Sequence, residues 1–150
     1  MEKGHIIQEL IKAYSAELET VQNYLAASVN LDGVRSDVIK KALAADVATE
    51  LMHAQRLAAR VKTIGGTVPG SLQLIRDQKH LQPTADSTDV VSVIKGVIEA
   101  EESAIIQYNK IIKICESVDY PTQDMAIEIL SDEEEHRREF IGFLKEYEKR

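Results

Sequence analysis

Four long stretches of the chain carry apolar residues at intervals of three or four positions, the period of an α-helix with one buried face. They predict helices over about residues 3–30, 37–64, 89–117 and 121–150. Gly33 is a stop signal after the first helix, and Ser36 is a candidate N-cap for the second. Pro121 suits the first turn of the fourth helix.

The links between these helices have very unequal lengths. The first and last links are short, so the helices that they join must be antiparallel neighbours. The middle link, residues 65–87, can reach about 76 Å when extended, whereas a helix of this size is about 42 Å long. The link can therefore travel the length of the bundle. This predicts an all-α four-helix bundle with one long crossover between helices two and three.

Composition and charge exclude several classes of protein. The chain has 150 residues, 44% hydrophobic and 29% charged, as expected of a globular protein. No apolar run approaches the roughly 18 residues of a transmembrane helix, and the N-terminus has no signal-peptide core, so we expect a cytoplasmic protein without a membrane partner. A net charge of −7 argues against a nucleic-acid partner. The single cysteine, Cys115, excludes an internal disulfide.

Each predicted helix has a glutamate near the middle of its apolar stripe, and two helices add a histidine one turn later. These residues are Glu17, Glu50 with His53, Glu101, and Glu133 with His136. An unpaired buried carboxylate costs several kcal/mol, and four together would repel one another. Two divalent cations would offset the four charges, and the imidazoles would complete the ligand set. The pattern predicts a two-metal site in the core; the alternative is a metal-free bundle with solvated charges.

The two halves of the chain also repeat one pattern. The stretches AELETVQNY and AEESAIIQY begin with Ala-Glu and place a tyrosine seven residues after that glutamate. Each is followed by a Glu-x-x-His pair in the next helix. The chain therefore looks like two copies of one helical hairpin.

At these residues, and most densely in DYPTQDMAIEILSDEEEH, the sequence resembles the ferritin-like di-iron carboxylate family, above all bacterioferritin and its Dps-like relatives. The resemblance implies one ferritin-like di-iron domain over residues 1–150. It implies bridging roles for Glu50 and Glu133, terminal roles for Glu17 and Glu101, and one histidine, His53 or His136, on each metal.

The resemblance also implies roles for residues around the ligands. Asp132 corresponds to an aspartate that orients a ligand histidine, whereas the equivalent place before Glu50 is Thr49. Tyr24 and Tyr108 are placed to hydrogen-bond ligand carboxylates, with ordinary core tyrosines as the alternative.

Two departures from bacterioferritin, and the apolar character of helix two, modify these expectations. Leu51 stands where that family has its haem methionine, and Met52 lies about 100° further round the helix, so we expect no haem. The short fifth helix of 24-subunit cages is missing, which leaves a dimer or a 12-subunit shell. Helix two is apolar almost all round, so we expect at least a homodimer.

The resemblance implies a ferroxidase that binds Fe(II) and oxidises it with O₂ or H₂O₂, for iron storage or detoxification. The alternatives are a di-metal peroxidase or catalase, a di-iron hydroxylase without mineral storage, and a structural bundle. Two iron ions are the expected cofactors, although manganese or zinc would also suit such ligands.

Overall fold

The structure is a computed structural model that describes residues 2–149. Within them the chain forms four α-helices, α1 (Glu2–Asn30), α2 (Asp37–Thr63), α3 (Val90–Cys115) and α4 (Tyr120–Glu148). Two short 3₁₀ turns, Ser71–Gln73 and Lys79–Leu81, lie in the link between α2 and α3. This confirms the predicted all-α bundle, and the helix bounds differ from the predicted ones by at most about two residues.

The ends of the helices are set by local hydrogen bonds. Gly33 has a φ of 100°, a conformation that favours glycine. Asp89 accepts a hydrogen bond from the Ser92 amide, so its side chain caps α3. Asp119 caps α4 through Thr122 in the same way. Ser36 stands at the N-cap position of α2 as expected, but its side chain caps no amide of the helix, because its hydroxyl donates to the carbonyl of Asp32.

Polar side chains of α1 fasten the crossover to the bundle. The Ser15 hydroxyl accepts a hydrogen bond from the Ile75 amide at 2.7 Å. The buried carboxylate of Glu19 accepts from the amides of Asp77 and Gln78, at 3.1 and 2.9 Å. These bonds satisfy backbone groups that would otherwise lie unpaired against the helix. They fix the path of the crossover over α1.

The crossover also packs closely on α3. A Cβ added at Gly96 would lie 2.4 Å from the carbonyl oxygen of His80, far inside van der Waals contact. Glycine is therefore required for the backbone of the crossover to approach α3 this closely. The side chain of Leu81 is buried beside it.

The buried apolar residues of the described chain fall into two clusters. One contains Leu10, Leu57 and Ile129, and the other contains Leu43, Ile94 and Phe140. The predicted ligand residues lie between these clusters along the bundle axis. The fold thus surrounds a layer of carboxylates and imidazoles with close-packed hydrocarbon at both ends.

None of the helices within residues 2–149 is long and apolar enough to span a membrane.

Candidate metal centre

The structure brings the six predicted ligand residues together in the middle of the bundle. All four helices contribute, since each places its glutamate at the same depth. The four glutamates and His53 are at most 2% exposed, and the His136 side chain is 14% exposed. Their role as metal ligands remains a prediction.

Within the described chain, these residues form two groups that could each hold one metal ion. Glu17, Glu50, His53 and Glu133 form one group. Glu50, Glu101, Glu133 and His136 form the other, and in each group the candidate ligand atoms lie within 4.8 Å of one another. Glu50 and Glu133 belong to both groups, as expected of bridging carboxylates. Glu17 and Glu101 belong to one group each, as expected of terminal ligands.

His53 directs one ring nitrogen into the site and the other away from it. Its Nδ1 lies 3.1 Å from Glu17 Oε2. Its Nε2 lies 2.8 Å from Asp132 Oδ2, a carboxylate of the opposite helix. The expected contact between Asp132 and a site histidine is therefore present. It fixes the orientation of the ring with Nδ1 towards the carboxylates.

His136 has the corresponding orientation, but a different kind of neighbour. Its Nδ1 lies 3.2 Å from Glu50 Oε1, and its Nε2 lies 3.6 Å from Asp46 Oδ1. Thr49, the sequence equivalent of Asp132, does not take this place. The sequence pattern did not identify a role for Asp46. Its position on the apolar stripe of α2, one turn before Glu50, could have indicated one.

Two buried tyrosines donate hydrogen bonds to Glu101 and Glu17, as predicted. Tyr24 donates to Glu101 Oε1 at 2.7 Å. Tyr108 donates to Glu17 Oε1 at 3.1 Å. Each bond leaves the second oxygen of its carboxylate directed towards the centre of the site.

Burial and mutual repulsion shift the pKa values of the clustered acids. Burial raises the pKa of Glu17 and Glu133 well above the usual range, and repulsion by Glu50 raises them further. Burial also raises the pKa of Glu101 to about 7. Glu50 is the exception: although burial opposes ionisation, the close approach of Glu17 and of the two histidines lowers its pKa. Without metal, the site therefore retains protons at neutral pH.

The histidines take part in the same balance. Burial lowers the pKa of a histidine, but the carboxylates around His53 and His136 outweigh it and raise both pKa values. A proton on an imidazole thus substitutes in part for a cation among the acids. Metal binding must displace such protons, because an imidazole binds metal only in its neutral form.

Several buried polar atoms of the described chain lack a hydrogen-bond partner, and they are concentrated here. They are both carboxylate oxygens of Glu50, Glu101 Oε2, Glu133 Oε1, His136 Nδ1 and Asp46 Oδ2. Buried polar groups are normally paired, so this concentration in one place requires a reason. Carboxylate oxygens and imidazole nitrogens are suitable ligands for iron, manganese or zinc. The residues present therefore fit a pair of divalent cations.

A cavity of about 320 Å³ lies between α1 and α3, beneath the crossover. Glu17 lines it, so the cavity reaches the edge of the candidate metal centre. Small side chains, among them Ala16, Ala100 and Ala104, form much of its wall. The cavity has room for a ligand larger than dioxygen.

Comparison with known proteins gives the family. The sequence model of the ferritin-like domain matches residues 7–149. The chain belongs to the ferritin-like family. Its similarity to solved structures extends over nearly the whole chain. A ferritin-like, di-iron carboxylate protein from Bacillus anthracis superposes with a TM-score of 0.85 at 21% identity, covering 96% of this chain and 98% of that one. This likeness establishes the fold.

Two further relatives of this ferritin-like chain have informative names. The chain is 26% identical over 141 residues to a "DNA protection during starvation protein" of Pyrococcus furiosus. The alignment covers 93% of this chain and 76% of that relative. A bacterioferritin-related protein from Bacteroides fragilis, described as a dodecameric thioferritin, superposes with a TM-score of 0.84 at 25% identity. That alignment covers 98% of this chain and 88% of the other.

Proposed function

We propose that this chain is a di-iron ferroxidase that oxidises Fe(II) with O₂ or H₂O₂, as a single ferritin-like domain acting in the cytoplasm. The observation that carries the proposal is the pair of ligand groups that share Glu50 and Glu133. Two cations held this way lie close enough to deliver two electrons to one oxidant molecule. Iron is the substrate, and its oxidation serves detoxification or storage.

The residues of the chain hold and orient the substrate ions. Glu50 and Glu133 would be shared between the two ions, while Glu17 and Glu101, which accept hydrogen bonds from Tyr108 and Tyr24, would each hold one. His53 and His136 complete the two sets. With both ions bound, each Fe(II) would lose one electron to become Fe(III), and the two electrons with two protons would reduce O₂ to H₂O₂, or H₂O₂ to two molecules of water. The apolar clusters above and below exclude bulk water, which strengthens the electrostatic hold of the carboxylates.

The names of the relatives support a role in iron oxidation, but they do not imply that this chain contacts DNA. Removal of Fe(II) and peroxide would protect DNA without binding it, in keeping with a net charge of −7. The absence of a nucleic-acid partner remains our prediction. The dodecamer described for the Bacteroides fragilis protein supports an oligomer for this chain, and we propose a homodimer as its minimal unit.

The cavity beside Glu17 favours a second candidate function, the oxidation of a small organic substrate. A volume of about 320 Å³ lies at the lower end of the range for small-molecule sites. A di-iron hydroxylase needs such a space next to its metals, whereas a ferroxidase does not.

Stopped-flow absorbance after mixing Fe(II) with O₂ or H₂O₂ tests the proposal. We expect rapid oxidation in the native chain and its loss in Glu133→Gln. The exposed neighbour Glu134 supplies the control, since Glu134→Gln should oxidise iron at the native rate. Turnover far beyond two irons per chain indicates storage. Saturation at two with continued loss of peroxide indicates a peroxidase, and no iron binding refutes the proposal.

A further inference from the structure

The two site histidines are oriented in the same way by opposite helices. His53 belongs to α2, and its outward nitrogen lies 2.8 Å from Asp132 of α4. His136 belongs to α4, and its outward nitrogen lies 3.6 Å from Asp46 of α2. Each imidazole therefore has a carboxylate of the facing helix behind it. The two histidine–aspartate pairs therefore have equivalent positions in the two halves of the repeated structure.

The repeat is not kept in sequence. Asp132 directly precedes Glu133, whereas the residue that directly precedes Glu50 is Thr49, which has no carboxylate. Asp46 lies four residues before Glu50, one helical turn away, and thus remains on the same side of α2. The carboxylate that Thr49 lacks is thus present at Asp46, one helical turn before Glu50.

The surroundings of Asp46 indicate that its carboxylate has a task. The residue is 8% exposed, and its Oδ2 is buried without a hydrogen-bond partner. A buried carboxylate oxygen without a hydrogen-bond partner destabilises the fold, so packing alone does not explain why an aspartate stands at position 46. The other acids near His136, namely Glu50, Glu101 and Glu133, all face the Nδ1 side of the ring. Within the described chain, Asp46 is the carboxylate on the Nε2 side.

We propose that Asp46 is the positioning residue of His136: its carboxylate, 3.6 Å from Nε2, attracts the Nε2–H group and keeps Nδ1 directed at the metal site. The inference rests on the proposed di-metal site, and it identifies Asp46 as the residue that orients the second histidine of that site. Loss of such a partner typically weakens metal binding by about 10- to 100-fold. Since His136 belongs to one ligand group only, one of two binding events should be affected.

Calorimetric titration of the metal-free protein with Co(II) tests this assignment. We expect two binding events in the native chain. Asp46→Ala should weaken one of them about 10- to 100-fold and leave the other within about threefold. Asp132→Ala should weaken the event that Asp46→Ala spares. Thr49→Ala is the matched control on α2 and should change neither event. Circular dichroism verifies that each variant is folded.

A second comparison separates positioning from a general structural effect. In a His136→Ala background, adding Asp46→Ala should change Co(II) affinity by less than about twofold, because the residue through which Asp46 acts is gone. An equal loss in both backgrounds, or no loss in either, overturns the assignment while the two native binding events stand. Absence of those two events in the native chain refutes the di-metal site and this inference with it.

Discussion

Replacement of Glu101 by glutamine should stabilise the metal-free protein at alkaline pH while weakening its metal binding. Glu101 is almost fully buried, and burial raises the pKa of its carboxyl from 4.5 to about 7. Glutamine keeps the shape of the protonated acid and an oxygen that can accept the hydrogen bond from Tyr24. It removes the negative charge that the metal would otherwise offset.

The pKa shift sets the size and the sign of the effect. A carboxyl whose pKa is raised by folding contributes stability below its unfolded pKa of 4.5, and this stability is lost as the pH rises through 7. At about 1.4 kcal/mol per pKa unit, ionised Glu101 costs about 3 kcal/mol at pH 8 and less than about 1 kcal/mol at pH 5. The value at pH 8 is an upper limit, because Glu101 also favours protonated His136.

Thermal unfolding of the chelator-treated protein at pH 5 and pH 8 measures the effect. About 3 kcal/mol corresponds to a rise in Tm of roughly 6–12 °C in a chain of this size. We expect Glu101→Gln to raise Tm by up to that amount at pH 8 and by much less at pH 5. Glu102 is exposed, so Glu102→Gln is the control and should change Tm little at either pH.

Two results would refute this reasoning. A sharp fall in Tm of metal-free Glu101→Gln at pH 8 would mean that the carboxylate is stabilised by a partner other than a metal. An equal rise at both pH values would mean that the gain does not come from removing an ionised group. Added Co(II) should reverse the order of stability, since the native chain binds it more tightly.

Three further predictions concern the crossover, haem and assembly. Gly96→Ala should lower stability by about 1–3 kcal/mol, because the new Cβ meets the His80 carbonyl. Unchanged unfolding in urea would contradict this. Gly70→Ala is the control, because a Cβ at Gly70 meets no atom within 4 Å. Reconstitution with haem should give no Soret band, since Leu51 stands at the family's methionine place; a band abolished by Met52→Ala would overturn this. Light scattering should give a mass of at least two chains, because apolar residues such as Val38, Leu51 and Met52 remain exposed on α2; a mass near 16.8 kDa would defeat the claim.

The fold could be predicted because it follows from local periodicity and link length. Apolar spacing located all four helices, and the long middle link could reach a parallel third helix. The depth of each glutamate along its helix then identified the six site residues. The exact buried row of α1 is harder to predict: spacings of three and four residues counted back from Glu17 place Ile7 and Tyr14 on it, but both are half-buried, whereas Ile6 and Ala13 are buried. A stripe that is wide on the helix surface does not determine which of two adjacent rows is deeper.

What the sequence could not provide were contacts between distant residues. The hydroxyl of Ser36 has several possible hydrogen-bond partners nearby. It donates to the carbonyl of Asp32 because of the path that the chain takes before α2, which the sequence alone does not give. The role of Asp46 depends on its distance from His136 on another helix. Reasoning by sequence repeat directed attention to Thr49 instead. The cavity beside Glu17 depends on the path of the crossover, which the sequence left open.

The most direct test of the central claim is a crystal structure of the protein soaked with Fe(II) without oxygen, with the metals located by anomalous scattering. We predict two ions roughly 3.5–4 Å apart, bridged by Glu50 and Glu133, with His53 on one and His136 on the other. A single ion, or a histidine that points to solvent while metal is bound, would contradict the account.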